Sequence, residues 1–196
     1  MMSNEELSNI LLKADDRQRE QIIDGYKKGL DISVYAIPEK FDSTQMFQIK
    51  LGLEAGVDVS IYADPKFSYK KMSAIKLGLI HGVDVSVYAD PKFTSIQMRE
   101  ILDGLDKRLD PKYYADPTMD ICRMKLIKTG LRARLDPAIF ANPELTDSEM
   151  EEIIDLLKCM NTKMYSDRRE RDHLIPRYYT ARWKLLAGGK ELVKLT

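Results

Sequence analysis

Side chains able to do chemistry are sparse in this chain of 196 residues. It holds two cysteines, Cys122 and Cys159, and two histidines, His81 and His173. Two cysteines cannot build a zinc framework by themselves, and two histidines leave little material for acid–base work. No nucleophile elbow, phosphate-binding Walker loop or HExxH helix is present. Cys122 falls in the first turn of an expected helix, where a thiolate is favoured. It has no partner nearby in sequence, so a structural thiol is expected. Asp31, Asp58, Asp84, Asp110 and Asp136 could be mistaken for an acidic metal site. They recur once in every unit of a repeat instead of converging, which is how helix-capping residues behave. The expectation is a non-enzymatic chain with no metal and no cofactor.

One segment does carry a binding-type pattern. Arg168, Arg169 and Arg171 lead into Arg177, Tyr178, Tyr179, Arg182 and Trp183. Interleaved arginine and aromatics suit single-stranded nucleic acid, where bases stack and guanidinium groups meet phosphate. They suit a protein hot spot as well. They also suit a C-terminal cap, with Tyr178, Trp183 and Leu186 covering the last repeat. Gly188-Gly189 reads as a turn.

Charge separates this segment from the rest. The 31 Lys+Arg and 31 Asp+Glu give a formal net charge of zero. Residues 158–196 carry 10 basic and 4 acidic side chains, and residues 1–157 carry 21 and 27. A neutral total therefore joins an acidic portion to a basic one, and the two have different surfaces. No stretch approaches the ~20 apolar residues of a membrane span. The acidic N-terminus lacks an apolar signal core. With so few cysteines, a cytoplasmic, reducing setting is expected.

What positions these residues is a repeat. Tyr62-Ala63-Asp64-Pro65 returns as Tyr88-Ala89-Asp90-Pro91 and Tyr114-Ala115-Asp116-Pro117, then as Phe140-Ala141-Asn142-Pro143, each 26 residues on. Tyr35-Ala36-Ile37-Pro38 stands 27 before the first. Met46, Met72, Met98, Met124 and Met150 keep the 26-residue period. So do Ile49, Ile75, Ile101, Ile127 and Ile153, and Leu53, Leu79, Leu105, Leu131 and Leu157. Met, Ile and Leu fall on one helical face, and the ladders predict core.

Each unit reads as a long helix, a connection and a shorter helix. The long helix is predicted to start at Asp42, Ser68, Thr94, Asp120 and Thr146, all good N-caps. Gln45, Gln97 and Glu149 stand three residues on and complete capping boxes. Gly56 and Gly82 fall where a left-handed residue ends a helix, while Arg108 and Arg134 replace them later. The short helix begins at the recurrent Asp. Val-Ser-Val copies imitate a strand, but Asp110-Pro111 and Asp136-Pro137 mark helix starts, and one architecture must fit all copies. The following Pro limits this helix to about one and a half to two turns, partly 3₁₀. Gly52, Gly78, Gly104 and Gly130 lie inside the long helices, which predicts close approach there by a neighbour or by the Tyr of the short helix. A degenerate unit over residues 5–30 carries Arg19 at the Met position, as suits a capping unit with a solvated side.

Non-repeating positions on the repeat are candidate contact residues. One row is Phe47, Ser73, Arg99, Lys125, Glu151, and another is Glu54, Ile80, Asp106, Arg132, Lys158. Phe47 and Ile80 are apolar where exposure is plausible and could anchor a partner, or be partly buried between units. Arg99 and Arg132 join them as candidate partner-binding residues. Lys50, Lys76 and Lys128 share a phase and are expected to serve solubility.

The segment Phe140-Ala141-Asn142-Pro143-Glu144-Leu145-Thr146 resembles the leucine-rich-repeat-variant family, and the resemblance covers roughly residues 30–160. It implies an α-helix paired with a 3₁₀-like helix in a right-handed superhelix used for binding. The Tyr-Ala-Asp-Pro-Lys-Phe form of the turn departs from that family. It is similar to a repeat of bacterial and mobile-element proteins. The fold expected is an all-α right-handed α-solenoid of five to six units spanning residues 1–160, followed by a basic cap or tail over 161–196. The function expected is protein binding. Two alternatives stand beside it: an anti-defence inhibitor of a nuclease, and nucleic-acid binding through the C-terminal segment.

Overall fold

The computed structural model describes residues 3–161 of the chain. Those residues are helical, with no strand among them, so the chain is all-α as expected. They fall into two compact units that divide between Asp106 and Lys107. The first unit holds α1 (Asn4–Lys13), α2 (Asp16–Lys27), α3 (Ser43–Glu54), α4 (Tyr69–His81) and α5 (Ser95–Asp106). The second holds α6 (Ile121–Arg132), α7 (Pro137–Phe140) and α8 (Asp147–Asn161). The domain boundary expected at 160/161 falls at the edge of the described residues.

The long helices start one residue after each predicted cap. Asp42 accepts from the amides of Thr44 and Gln45, both at 2.8 Å. Asp120 accepts from those of Cys122 and Arg123. These bonds satisfy donors that have no partner inside the helix. The connecting helices are shorter than predicted. Ile32–Val34, Val59–Ile61, Val85–Val87 and Pro111–Tyr113 are single 3₁₀ turns. Only the last copy, α7, is α-helical. Each recurrent Asp caps its turn: Asp58 accepts from the Ser60 amide at 3.0 Å, and Asp136 from the Ala138 amide at 3.0 Å.

The Met and Ile ladders are buried throughout, and Tyr35, Tyr62, Tyr88, Tyr114 and Phe140 are completely enclosed. The Leu ladder differs from expectation, since all five leucines are only half-buried. Position 7 of the stripe sits at its edge, whereas positions 0 and 3 face the neighbouring helix. The in-helix glycines answer to the tyrosines, as predicted. A Cβ on Gly25, Gly52 or Gly78 would overlap the hydroxyl of Tyr35, Tyr62 or Tyr88. Those hydroxyls donate to the carbonyls of Gln21, Gln48 and Ala74 at 3.1, 3.2 and 3.3 Å. Burial pushes all three phenols above the ordinary tyrosine range.

Left-handed helix ends recur through the repeat, whatever residue occupies them. Gly29, Gly56 and Gly82 take φ of +71°, +70° and +72°. Arg108 and Arg134 take φ of +57° at the same place, a conformation that costs a residue with Cβ roughly 1 kcal/mol.

After four of the caps, the residue three positions on reaches the next copy. Gln45 accepts from the Asp42 amide through its oxygen and donates through its nitrogen to the carbonyls of Pro65 and Phe67, at 3.2 and 2.9 Å. Gln18 does the same to Pro38 and Phe41. Lys71 keeps only the donor half, reaching the Pro91 carbonyl at 2.7 Å, and Ser68 makes no side-chain cap bond. Arg123 reaches the carbonyls of Asn142 and Leu145 at 2.6 and 2.8 Å. This side chain thus ties the long helix to the proline turn of the next copy.

The phase-sharing lysines are not a solubility stripe. Lys50 and Lys128 are buried and Lys76 is half-buried. Lys50 donates to Asp24 at 2.5 Å and Lys76 to the Gln48 side chain at 3.0 Å. A buried ammonium must be paired, because leaving water unpaired is costly. Arg19 also departs from a merely solvated role. Its Nε donates to the Leu11 carbonyl at 2.8 Å, closing the C-terminal end of α1, and its Nη1 meets Asp16.

Candidate interaction surface

The outward face of the first unit is built by a simple register. Residues at i, i+3, i+4 and i+7 of a helix share a face. On α3 these are Thr44, Phe47, Gln48 and Leu51. Their counterparts 27 residues earlier on α2 are Arg17, Glu20, Gln21 and Asp24. Those 26 residues later on α4 are Lys70, Ser73, Ala74 and Leu77, and on α5 they are Ile96, Arg99, Glu100 and Asp103. The core rows occupy the opposite side of each helix.

Two clefts open on this face. The first, of about 400 Å³, is lined by Arg17, Glu20 and Gln21 of α2, Ser43, Thr44, Phe47 and Gln48 of α3, and Tyr69 at the start of α4. Phe47 is 41% exposed and Tyr69 44% exposed, so two aromatic rings meet solvent in one cleft. The second, of about 380 Å³, is lined by Ser73, Ala74 and Leu77 of α4 with Arg99, Leu102, Asp103 and Asp106 of α5. Leu102 is buried and Leu77 is exposed, which makes an apolar patch flanked by charge. Every large apolar side chain that is exposed among the described residues lies between Leu12 and Ile96, all within the first unit.

The electrostatics around the first cleft are specific. Lys28 and Lys50 both donate to the Asp24 carboxylate, at 2.8 and 2.5 Å. They hold its pKa down to about 2, with the Lys28 bond contributing most. Lys28 also pairs with Glu54 at 2.8 Å. The Lys50 ammonium stands 5.4 Å from the centre of the Phe47 ring. Gln48 gives its oxygen to Lys76. Gln21, in the same register one helix earlier, has no such donor, because Lys50 turns to Asp24 instead. Its Oε1 is buried without a hydrogen-bond partner among the described residues. Glu20 and Arg17, also in this cleft, form no ion pair among the described residues.

The predicted contact residues separate into four groups. Phe47 and Arg99 stand in the two clefts of one face. Ile80 is half-exposed, in the row of Glu54 and Asp106, and lines neither cleft. Asp106 in that row accepts from His81 Nδ1 at 2.9 Å. Arg132 is exposed on α6, in the second unit. Arg168, Arg169, Arg171, Arg177, Tyr178, Tyr179, Arg182 and Trp183 lie outside the described residues. Sequence reasoning missed Tyr69 and Leu77. Leu77 could have been found from the register of Phe47, one turn and one repeat on. Tyr69 shares a register with Ser43 and Ser95, where nothing in the repeat singles it out.

Among the described residues no group of three or more His, Cys, Asp or Glu side chains could hold a metal ion. No described helix is long and apolar enough to cross a membrane. Cys122 is exposed and Cys159 half-exposed. No protein-family model, no curated protein and no solved structure matches this chain.

Proposed function

We propose that this chain is a non-enzymatic protein-binding module, a right-handed α-solenoid of 26-residue units that engages a partner through the face shared by α2, α3, α4 and α5. The observation that carries the reading is the exposure of Phe47, Tyr69 and Leu77 on that face while the core rows remain enclosed. Exposed aromatics in a cleft, rimmed by charge, are the anatomy of a binding hot spot. Repeat arrays supply extended surface of this type without chemistry. Backbone ties such as that of Gln45 hold successive copies in fixed register, so the face is rigid before a partner arrives. A rigid face spares the ordering entropy that binding otherwise costs.

The test is affinity capture from the native host with the full chain and with a Phe47→Ser/Tyr69→Ser double variant, read by quantitative mass spectrometry. The identified partner is then titrated with each purified protein. Loss of about 2 kcal/mol or more of binding in the variant is expected for a hot-spot pair. A partner captured and bound equally by both proteins would place the interface elsewhere and end this reading.

A further inference from the structure

We propose that the cleft between α2, α3 and the start of α4 seats an arginine side chain of the partner protein. This rests on the reading that the face binds protein, and names the chemistry of what it takes. Three observations converge on a guanidinium. Phe47 and Tyr69 present two exposed ring surfaces in one cleft, and a planar cation stacks on such rings. Glu20 supplies a carboxylate with no ion pair among the described residues.

The third observation is the orphaned Gln21 oxygen. A buried acceptor without a donor is unfavourable, and the incoming group that cures it must carry N–H groups. Gln21 lines the cleft, so a turn of its amide on binding would bring this oxygen to the arriving group. A guanidinium has five N–H donors in a fixed fork, enough to serve Glu20 and Gln21 together while its plane lies on a ring. An ammonium lacks the plane, and a carboxylate would leave the acceptor unserved. Among the described residues that line the cleft, Arg17 carries the positive charge. It opposes a guanidinium and would favour an anion, which makes it the residue that separates the two possibilities.

The experiment is an NMR titration of the full-length protein with N-acetyl-arginine-N-methylamide, against the citrulline analogue, which keeps the shape and loses the charge. Saturable shifts are expected at the Phe47 and Tyr69 rings and the Gln21 amide, with a dissociation constant on the order of millimolar, as befits one side chain. The citrulline probe should bind at least about tenfold more weakly. Gln21→Met and Glu20→Gln should each weaken arginine binding several-fold, and Arg17→Gln should leave it unchanged or strengthen it. Each variant is checked for an unaltered spectrum away from the cleft, so loss of fold is not mistaken for loss of binding. Equal binding of citrulline overturns the proposal, as does the absence of saturable shifts. It is also overturned if Arg17→Gln abolishes binding while Gln21→Met does not. Should the captured partner depend on Phe47 and Tyr69 while the arginine probe fails, the arginine assignment falls and the protein-binding reading survives. Arginine binding without any face-dependent partner would keep the guanidinium site and remove the protein-binding reading.

Discussion

Gly52→Ala sets two well-measured effects against each other. In an exposed helix the substitution would stabilise by about 1 kcal/mol, because alanine is the better helix former. Here the new Cβ would overlap the Tyr62 hydroxyl and come within 2.8 Å of Val59 Cγ1 and 3.1 Å of Tyr62 Cζ. Tyr62 is wholly enclosed, so its ring has no solvent to retreat into. Overpacking of this kind costs about 1–3 kcal/mol. Pulling the hydroxyl off the Gln48 carbonyl, now 3.2 Å away, costs about 1 more. The gain from propensity is smaller than the sum of these, and a net destabilisation of about 1–3 kcal/mol follows. The assay is urea unfolding followed by circular dichroism at 222 nm. Tyr62→Phe in the same chain removes the overlapped atom and leaves Cζ as the nearest ring atom, so the double variant should recover at least about half of the loss. A Gly52→Ala protein as stable as its parent would refute the packing argument, and so would a double variant with no recovery. Gly130 is the natural control. Its partner Phe140 has no hydroxyl, and the ring itself lies within 2.5 Å (Cε2) of an added Cβ, so no hydroxyl deletion can relieve that site.

Four further outcomes can be measured on the same protein. Arg134→Gly should stabilise by about 0.5–1 kcal/mol, since it relieves a left-handed residue at φ +57° at the cost of extra chain entropy; chemical denaturation reads it. Gly82→Ala, at φ +72° in open space, should destabilise by about 1 kcal/mol in the same assay. Gln45→Leu should cost about 2–3 kcal/mol by stripping donors from two carbonyls and the acceptor from the Asp42 amide, and Gln45→Glu, which keeps only the acceptor, should recover part of that. Asp24 has a folded pKa of about 2, below its unfolded value of 3.8, so its contribution is full above about pH 4 and is lost as pH falls toward 2. Stability curves over that range should flatten in Asp24→Asn, and an unchanged slope would contradict the ion-pair assignment.

Much of the fold is legible from spacing alone, because its causes are local. The caps at Asp42, Asp120 and Thr146 are single residues acting on amides two or three positions away. The Met and Ile stripes follow from helical period, and the glycine rows mark points of close approach. The connecting helices are shorter than the proline spacing suggests, since Val-Ser-Val and Pro-Lys-Tyr support a single 3₁₀ turn before the chain bends into the proline turn. Phe47 is recognisable as an apolar residue off the core stripe. Tyr69 is not, because its row is otherwise small and polar, and nothing local marks it as the wall of a cleft.

Amino-acid type and period were enough to establish the helical class, the helix starts and the buried rows, for each of those depends on neighbours within about one turn. Three-dimensional placement decided what depends on residues 20 to 28 positions apart. It made Lys50 a buried partner of Asp24 when its phase alone suggested a solvated stripe. It turned the Gln45 side chain from a cap into a tie between copies, and bent Arg134 into a glycine conformation because the chain must turn there whatever residue stands in place. It also left Gln21 without a donor, since Lys50, the counterpart of the Lys76 that serves Gln48, is directed to Asp24. Competition among neighbours for a single partner is a property of distances in space, and no one-dimensional pattern encodes its winner.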